Sequence, residues 1–236
     1  MSDKLFTDPK TKPVYYLSEA AHYLRVNKIT LRSWVYGQPS KTKGHKKLTS
    51  PLIEPAGKQG PEKLSFLNLI EAHILFALRQ THKVKMSVIR NAIDYLKKNR
   101  NTQHPLLEKD IMTDGYHLFI KELEKYISIS EDGQIVIKDI MEKYIQRIEW
   151  DKQGVPVLFY PYTRKPSSSV DCPKNIVMDP TIAFGRPVVS GTRITTAFIF
   201  ERYSAGDSIH DIVKDYGLKT QDVEEALRNE TQRTAA

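Results

Sequence analysis

Residues 17–36 read LSEAAHYLRVNKITLRSWVY and contain two short helical patterns separated by a turn. Ser18 belongs to the residue types that cap helices well, so it predicts a first helix over residues 19–24. The turn follows at residues 25–27, where Val26 is expected to fill the corner. This order predicts two helices joined by a tight turn.

The second predicted helix, residues 28–36, separates into an apolar and a polar set. Its apolar side chains are expected to face the core and are Ile29, Leu31, Trp34 and Val35. In a helix-turn-helix the second helix enters the major groove of DNA. The polar set would contact base edges or phosphate oxygens there, and comprises Lys28, Thr30, Arg32, Ser33 and Tyr36. An ordinary helical hairpin shows the same spacing, so this stretch alone leaves both interpretations open.

Two short apolar pieces further on predict a β-hairpin over residues 52–66. Lys58 and Lys63 lie near its expected tip, where a wing would approach the DNA backbone. The preceding segment, residues 37–50, is interrupted by Gly and Pro and is predicted to be an irregular basic insert. Lys41, Lys43, Lys46 and Lys47 add positive charge to it, and the last three are further candidates for contact with nucleic acid.

Two longer helices are predicted after the hairpin. Ser65 is expected to cap the first helix, and Ser87 the second. Apolar residues recur at helical spacing in both and are expected to face inward: Leu67, Ile70, Ile74, Leu75 and Leu78 in the first, and Ile89, Ala92, Ile93 and Leu96 in the second.

The positive charge is concentrated in the first part of the chain. Of a formal net charge of +8, residues 1–100 hold 19 Lys and Arg against 7 Asp and Glu, whereas the remaining residues carry a slight excess of carboxylates. A basic segment joined to a mildly acidic one is typical of a dedicated polyanion-binding module. A lysine-rich surface that only keeps the protein in solution is the alternative interpretation.

The order of these features resembles the MerR-like and excisionase-like winged helix-turn-helix family over residues 15–99. The resemblance is carried by Ser18-Glu-Ala-Ala21, by Thr30-Leu-Arg-Ser-Trp34 and by Pro51-Leu-Ile53. The basic insert at 38–50 is longer than is usual in that family. The resemblance implies binding to double-stranded DNA and, because such proteins usually read paired half-sites, a homodimer.

The middle of the chain shows a different pattern. Alternation at residues 126–137 around Glu-Asp-Gly predicts a hairpin, which is the candidate for dimerisation. A helix is expected at about 139–147 and a strand at 156–162. Pro and Ser then indicate a linker at residues 166–175.

The last part contains the sequence DPTIAFGRPVVSGTRI at residues 179–194. Val188 and Val189 suit a short strand, and Gly191 permits a bend into a new helix. Three helical patterns follow, in a spacing that is itself similar to a helix-turn-helix. With Gly206-Asp-Ser-Ile209 and Tyr216-Gly-Leu218, this order resembles the bacterial family of unknown function numbered 433 over residues 175–229. Phe184 stands where that family usually has a second Gly.

This second resemblance implies the antitoxin half of a toxin–antitoxin pair whose toxin is a PIN-like ribonuclease. The clustered carboxylates of such a nuclease could be neutralised by a guanidinium, which pairs with carboxylates through two hydrogen bonds. Arg228 and Arg233 are the candidate partner-binding residues, because they lie at the end of the last helix and in the tail. Either of them could equally be an ordinary solvated arginine.

The sequence offers no pattern for catalysis. The seven histidines and the single cysteine, Cys172, are scattered without metal-ligand spacing, and no catalytic triad or phosphate-binding glycine loop is present. We therefore expect no enzyme activity, no metal and no cofactor. The lack of a membrane-length apolar run and of a leader leads us to expect a cytoplasmic protein with no membrane partner.

These features predict an α+β fold that is mostly α. The expected organisation is a flexible arm at 1–13, a winged helix-turn-helix at 14–100, a small α+β segment at 101–165, a linker at 166–175 and, at 176–236, a short strand with three helices. The predicted function is a DNA-binding antitoxin that neutralises a PIN-like toxin and represses its own operon. The alternative is a stand-alone MerR-like regulator whose C-terminal part is a sensor or a dimerisation module.

Overall fold

The computed structural model describes residues 8–42, 45–56, 63–80, 86–100, 103–107, 140–164 and 172–231. The first half contains four helices, α1 (Leu17–Leu24), α2 (Lys28–Tyr36), α3 (Phe66–Gln80) and α4 (Met86–Arg100). It also contains the strands β1 (Tyr15–Tyr16), β2 (Pro39–Thr42), β3 (His45–Leu48) and β4 (Lys63–Leu64).

The predicted helix-turn-helix is present, and its local hydrogen bonds explain the turn. Arg25 adopts a left-handed conformation at φ 55°, and the buried Val26 returns its N–H to the carbonyl of Ala21. Asn27 then caps α2, because its side-chain oxygen accepts a hydrogen bond of 2.8 Å from the N–H of Ile29. The predicted start of α1 was wrong, since the helix begins one residue before Ser18, where the Glu19 carboxylate accepts the N–H of Tyr16.

The predicted hairpin over residues 52–66 is not formed. Leu64 pairs with Tyr15, so β4 is antiparallel to β1. Leu52 and Ile53 are buried, and both donate their N–H groups to the carbonyl of Trp34 at the end of α2. Because these two residues close that helix end and fill the core below it, they do not form a strand.

A hairpin is formed instead by the basic insert, where β2 pairs antiparallel with β3. The register places Ser40 opposite Lys47 and Lys41 opposite Lys46. The insert that was predicted to be irregular is therefore a wing-like hairpin that directly follows α2.

The core of the first half is formed largely by α3 and α4. Every inward position predicted on these helices is buried. Ser65 caps α3 as predicted, and its hydroxyl oxygen accepts the N–H of Asn68 at 3.2 Å. Ser87 was wrong as a cap, because α4 already begins at Met86.

The middle segment shares this core. A helix, α5 (140–145), is followed by β5 (Ile148–Trp150), which pairs antiparallel with β6 (Pro156–Phe159). Met141, Tyr144 and Phe159 are buried in the same apolar cluster as α3. The predicted hairpin at 126–137 lies outside the described residues.

The segment that follows the middle strands is held by one buried arginine. Arg147 donates hydrogen bonds to the carbonyl oxygens of Tyr160, Pro161, Cys172 and Pro173, at distances of 2.6 to 3.1 Å. Its guanidinium therefore joins Tyr160 and Pro161, which precede the predicted linker at 166–175, to Cys172 and Pro173 within it.

The C-terminal part has its own apolar cluster. The strand β7 (Ile176–Val177) pairs antiparallel with β8 (Val188–Val189), and three helices follow as predicted: α6 (Thr196–Ser204), α7 (Ile209–Tyr216) and α8 (Thr220–Thr231). The α+β, mostly α fold class is confirmed. In the described ranges no helix is long and apolar enough to cross a membrane.

Candidate nucleic-acid interface

The outer face of α2 presents a stripe of side chains to solvent. Leu31, Trp34 and Val35 are buried and fix the helix on the core. Lys28 and Arg32 are exposed on the opposite side, while Thr30, Ser33 and Tyr36 are half-buried. The five predicted DNA-contact residues of α2 therefore all keep some access to solvent.

Ile29 was predicted to face the core, and the structure contradicts this prediction. Its side chain is 79% exposed. The angle of about 100° per residue in a helix places Ile29 about 200° from Leu31, on the far side of α2. The helical angle between Ile29 and Leu31 could have been calculated from the sequence and predicts an exposed Ile29. The prediction instead followed the apolar character of the residue.

Two contacts restrict the polar side chains of this stripe. The Ser33 hydroxyl donates a 2.7 Å hydrogen bond to the carbonyl of Thr30, which leaves its oxygen lone pairs available as acceptors. The Arg32 guanidinium lies 5.4 Å from the centre of the Tyr36 ring. This cation–π contact orients the arginine along the exposed face.

The other predicted lysines are placed in three different ways. Lys46 and Lys47 belong to β3, in the wing-like hairpin. Lys63 was predicted near the tip of a wing, but it lies in β4, beside the start of α1. Its ammonium group is 4.7 Å from the centre of the Tyr16 ring. Lys43 and Lys58 lie outside the described residues.

The helix-turn-helix is tied to the rest of the chain through its turn, a connection that sequence reasoning missed. The Arg25 guanidinium donates to the carbonyl of Tyr162 in the middle segment. The neighbouring Thr163 and Arg164 both bind the carboxylate of Glu225 in α8. Side-chain contacts therefore run from the helix-turn-helix to the last helix.

The candidate partner-binding arginines lie at this last helix. Arg228 is half-exposed, and its two terminal nitrogens bind Glu225 at 2.6 Å and Glu224 at 3.2 Å. Burial would raise the pKa of Glu225, but hydrogen bonds from Arg164 and Thr163 hold it below its ordinary value. Glu225 is therefore a buried anion, and Arg228 is one of its counter-ions. Arg233 lies outside the described residues.

We also searched the described residues for side chains that could together bind a metal ion. Among the described residues, no group of three His, Cys, Asp or Glu side chains could hold a metal ion.

Comparison with known proteins finds two families and several relatives. The chain is 28% identical to "Putative antitoxin VapB45" of Mycobacterium tuberculosis, over 91% of this chain and 92% of the relative. It is 22% identical to "Uncharacterized protein Rv2308" of the same organism, over 96% of this chain and 93% of the relative. A crystal structure of Rv2018 from Mycobacterium tuberculosis matches with a TM-score of 0.70 and 26% identity, over 92% of this chain and 98% of that one.

The two families match the two ends of the chain. Residues 13–93 match the family described as "Putative DNA-binding HTH domain", and residues 176–228 match "Protein of unknown function (DUF433)". The C-terminal resemblance and the helix-turn-helix expected from the sequence are thereby confirmed, while the assignment to MerR-like proteins stays a prediction. The chain thus has an N-terminal part similar to a family described as "Putative DNA-binding HTH domain" and a C-terminal part similar to the family of unknown function numbered 433.

Proposed function

We propose that this chain is a DNA-binding antitoxin that represses its own operon and neutralises a PIN-like ribonuclease toxin. It acts as a binding protein without enzyme activity, as a homodimer in the cytoplasm. Its N-terminal part binds the operator and its C-terminal part binds the toxin. The full-length similarity to a protein named as an antitoxin supports this proposal.

The observation that carries the DNA-binding part is the exposed stripe of α2. Lys28, Ile29 and Arg32 project from a helix whose opposite face is buried on the core. An arginine can read a guanine edge, a lysine can bind a phosphate, and an exposed aliphatic side chain can contact the methyl group of thymine. The wing-like hairpin adds lysines immediately after this helix.

Toxin neutralisation is assigned to Arg228 and Arg233. Arg228 already binds two carboxylates within α8, so its guanidinium would exchange these partners for carboxylates of the nuclease. Arg233 follows the last described turn of α8.

The experiment that tests the proposal uses the protein encoded beside this chain. Co-expression followed by purification measures complex formation, and an RNA cleavage assay measures inhibition. We expect a stable complex without nuclease activity, which also binds the promoter of the two genes. Promoter binding without any complex would contradict the antitoxin role and favour a stand-alone regulator.

A further inference from the structure

The segment from Asp179 to Pro187 forms a ridge with an exposed phenylalanine at its tip. The Phe184 side chain is 83% exposed, in a turn where both Ala183 (φ 48°) and Phe184 (φ 56°) have left-handed backbone conformations. Residues other than glycine are disfavoured in that conformation, most of all when their side chain is bulky. An aromatic side chain that is held in a strained turn and exposed to water gains little from burial in the monomer.

The ridge is fixed to the N-terminal part of the molecule. The buried Tyr15 hydroxyl donates a 2.8 Å hydrogen bond to the carbonyl of Gly185, and a Cβ atom at Gly185 would collide with that hydroxyl. The Asp179 carboxylate accepts both the N–H and the hydroxyl of Thr181, at 2.7 and 2.6 Å. Phe184 is therefore presented from a braced turn, which lowers the entropy lost on binding.

Residues of the ridge line two hollows. One, of 380 Å³, has Leu158, Val177 and Ile182 among its walls. The other, of 210 Å³, is bounded by residues 13–15 and by Phe184 itself. An exposed aromatic side chain at the edge of a concave, partly apolar surface is suited to insert into an apolar pocket of a partner protein.

The charges around the ridge favour an acidic partner. Arg186 belongs to the ridge and is 62% exposed, with its guanidinium 4.0 Å from the Glu19 carboxylate, and Arg193 is exposed as well. Lys63 borders the smaller hollow, and Arg193 the larger. The charged residues that line the two hollows are three cations, Lys63, Arg186 and Arg193, and two carboxylates, Glu19 and Asp179, so the positive charges are in excess. Glu19 binds the N–H of Tyr16 and lies 4.0 Å from Arg186, and Asp179 binds Thr181.

Nucleic acid fits this surface less well than protein does. The two hollows offer concave, partly apolar walls, which suit apolar protein side chains better than phosphates. The last turn of α8 also approaches the ridge, because the Thr196 hydroxyl contacts both the Glu230 carboxylate at 2.5 Å and the carbonyl of Pro187. Thr196 thereby connects the last turn of α8 with Pro187 at the end of the ridge.

We infer that this ridge is a docking surface for an acidic protein whose apolar pocket receives Phe184. The inference rests on the proposed function and names the surface by which the toxin is bound. Phe184 supplies the apolar contact, and Arg186 and Arg193 pair with carboxylates around the pocket of the partner.

The test replaces Phe184 by glycine and measures binding to the purified protein encoded beside this chain. Glycine tolerates the positive φ, so Phe184→Gly keeps or raises the melting temperature while it removes the side chain. We expect affinity for the partner to fall about 30-fold or more. The double variant Arg186→Glu/Arg193→Glu should slow association, and Tyr203→Ala, which removes an aromatic side chain exposed elsewhere on α6, is the matched control.

The possible outcomes separate this inference from the proposed function. If the unaltered chain forms no complex, the toxin-binding function fails and the docking surface fails with it. If it forms a complex and Phe184→Gly binds equally well, only the docking surface is contradicted. Phe184→Gly that loses promoter DNA, or that dissociates a dimer, while its affinity for the partner is unchanged would assign the ridge to DNA or to a second copy and would overturn the inference.

Discussion

Arg32 and Trp34 lie two residues apart on α2 and should respond differently to substitution. Arg32 is exposed, so Arg32→Ala should leave the fold intact and weaken operator binding by about 1–3 kcal/mol if the arginine reads a base. Trp34 is buried, and Trp34→Ala should cost about 3–5 kcal/mol of folding free energy. Thermal unfolding together with promoter titration separates the two effects. Folded Arg32→Ala protein with unchanged affinity would exclude the contact.

Ile29 provides a second test at the scale of one residue. Because its side chain is exposed, Ile29→Ala should change the free energy of unfolding by no more than about 0.5 kcal/mol. Affinity for the operator should fall if the side chain contacts a thymine methyl group. Denaturant unfolding and DNA titration of the same preparation check both statements. A large loss of stability would instead indicate that Ile29 is packed in the core, as the sequence pattern predicted.

His73 on α3 makes the contact between the N-terminal core and the middle segment sensitive to pH. Burial lowers its pKa to about 4, and its ring nitrogen lies 2.9 Å from the carbonyl of Tyr144. Since the unfolded chain takes up this proton near pH 6.5 and the folded chain only near pH 4, stability should fall as the pH drops through this interval, by up to about 3 kcal/mol.

The measurement is the unfolding free energy of the parent and of His73→Phe between pH 7.5 and 4.5. The phenylalanine keeps the packing against Tyr144 and Phe159 but cannot be protonated. The parent should lose more stability than the variant as the pH falls. Equal pH dependence in the two proteins would show that His73 is not the titrating group.

The elements that the sequence predicted well are those with local signals. The turn ends at Asn27, whose side chain caps α2. The spacing of Leu31, Trp34 and Val35 places that helix on the core. The wing-like hairpin could not be predicted in the same way, because residues 39–48 lack alternating apolar side chains. The pairing of Leu64 with Tyr15 depends on tertiary contacts across 49 residues of chain, which no local pattern reports.

At the scale of the whole molecule, single side chains connect parts that the sequence separates. Arg147 donates hydrogen bonds to four carbonyl oxygens, and the Tyr15 hydroxyl donates one to the carbonyl of Gly185, 170 residues away. Breaking the first contact by Arg147→Met leaves these carbonyls unsatisfied, and each buried one costs about 1–3 kcal/mol. Arg147→Met should therefore unfold at a markedly lower temperature, whereas Arg79→Met, which removes an exposed guanidinium on α3, should have a smaller effect. Equal melting temperatures for the two variants would contradict this role.

The shared core also determines how DNA binding is best measured. Met141, Tyr144 and Phe159 are packed with α3, so a fragment that ends near residue 105 would expose apolar surface, and the full chain is the appropriate protein. We expect the full chain to bind its own promoter more tightly than a shuffled sequence of equal length. The affinity should fall steeply with salt, with a log–log slope of about −0.9 for each phosphate contacted. The double variant Lys28→Ala/Arg32→Ala should bind more weakly and with a shallower slope. Equal affinity for promoter and shuffled DNA, or a double variant indistinguishable from the parent, would contradict recognition of the operator by α2.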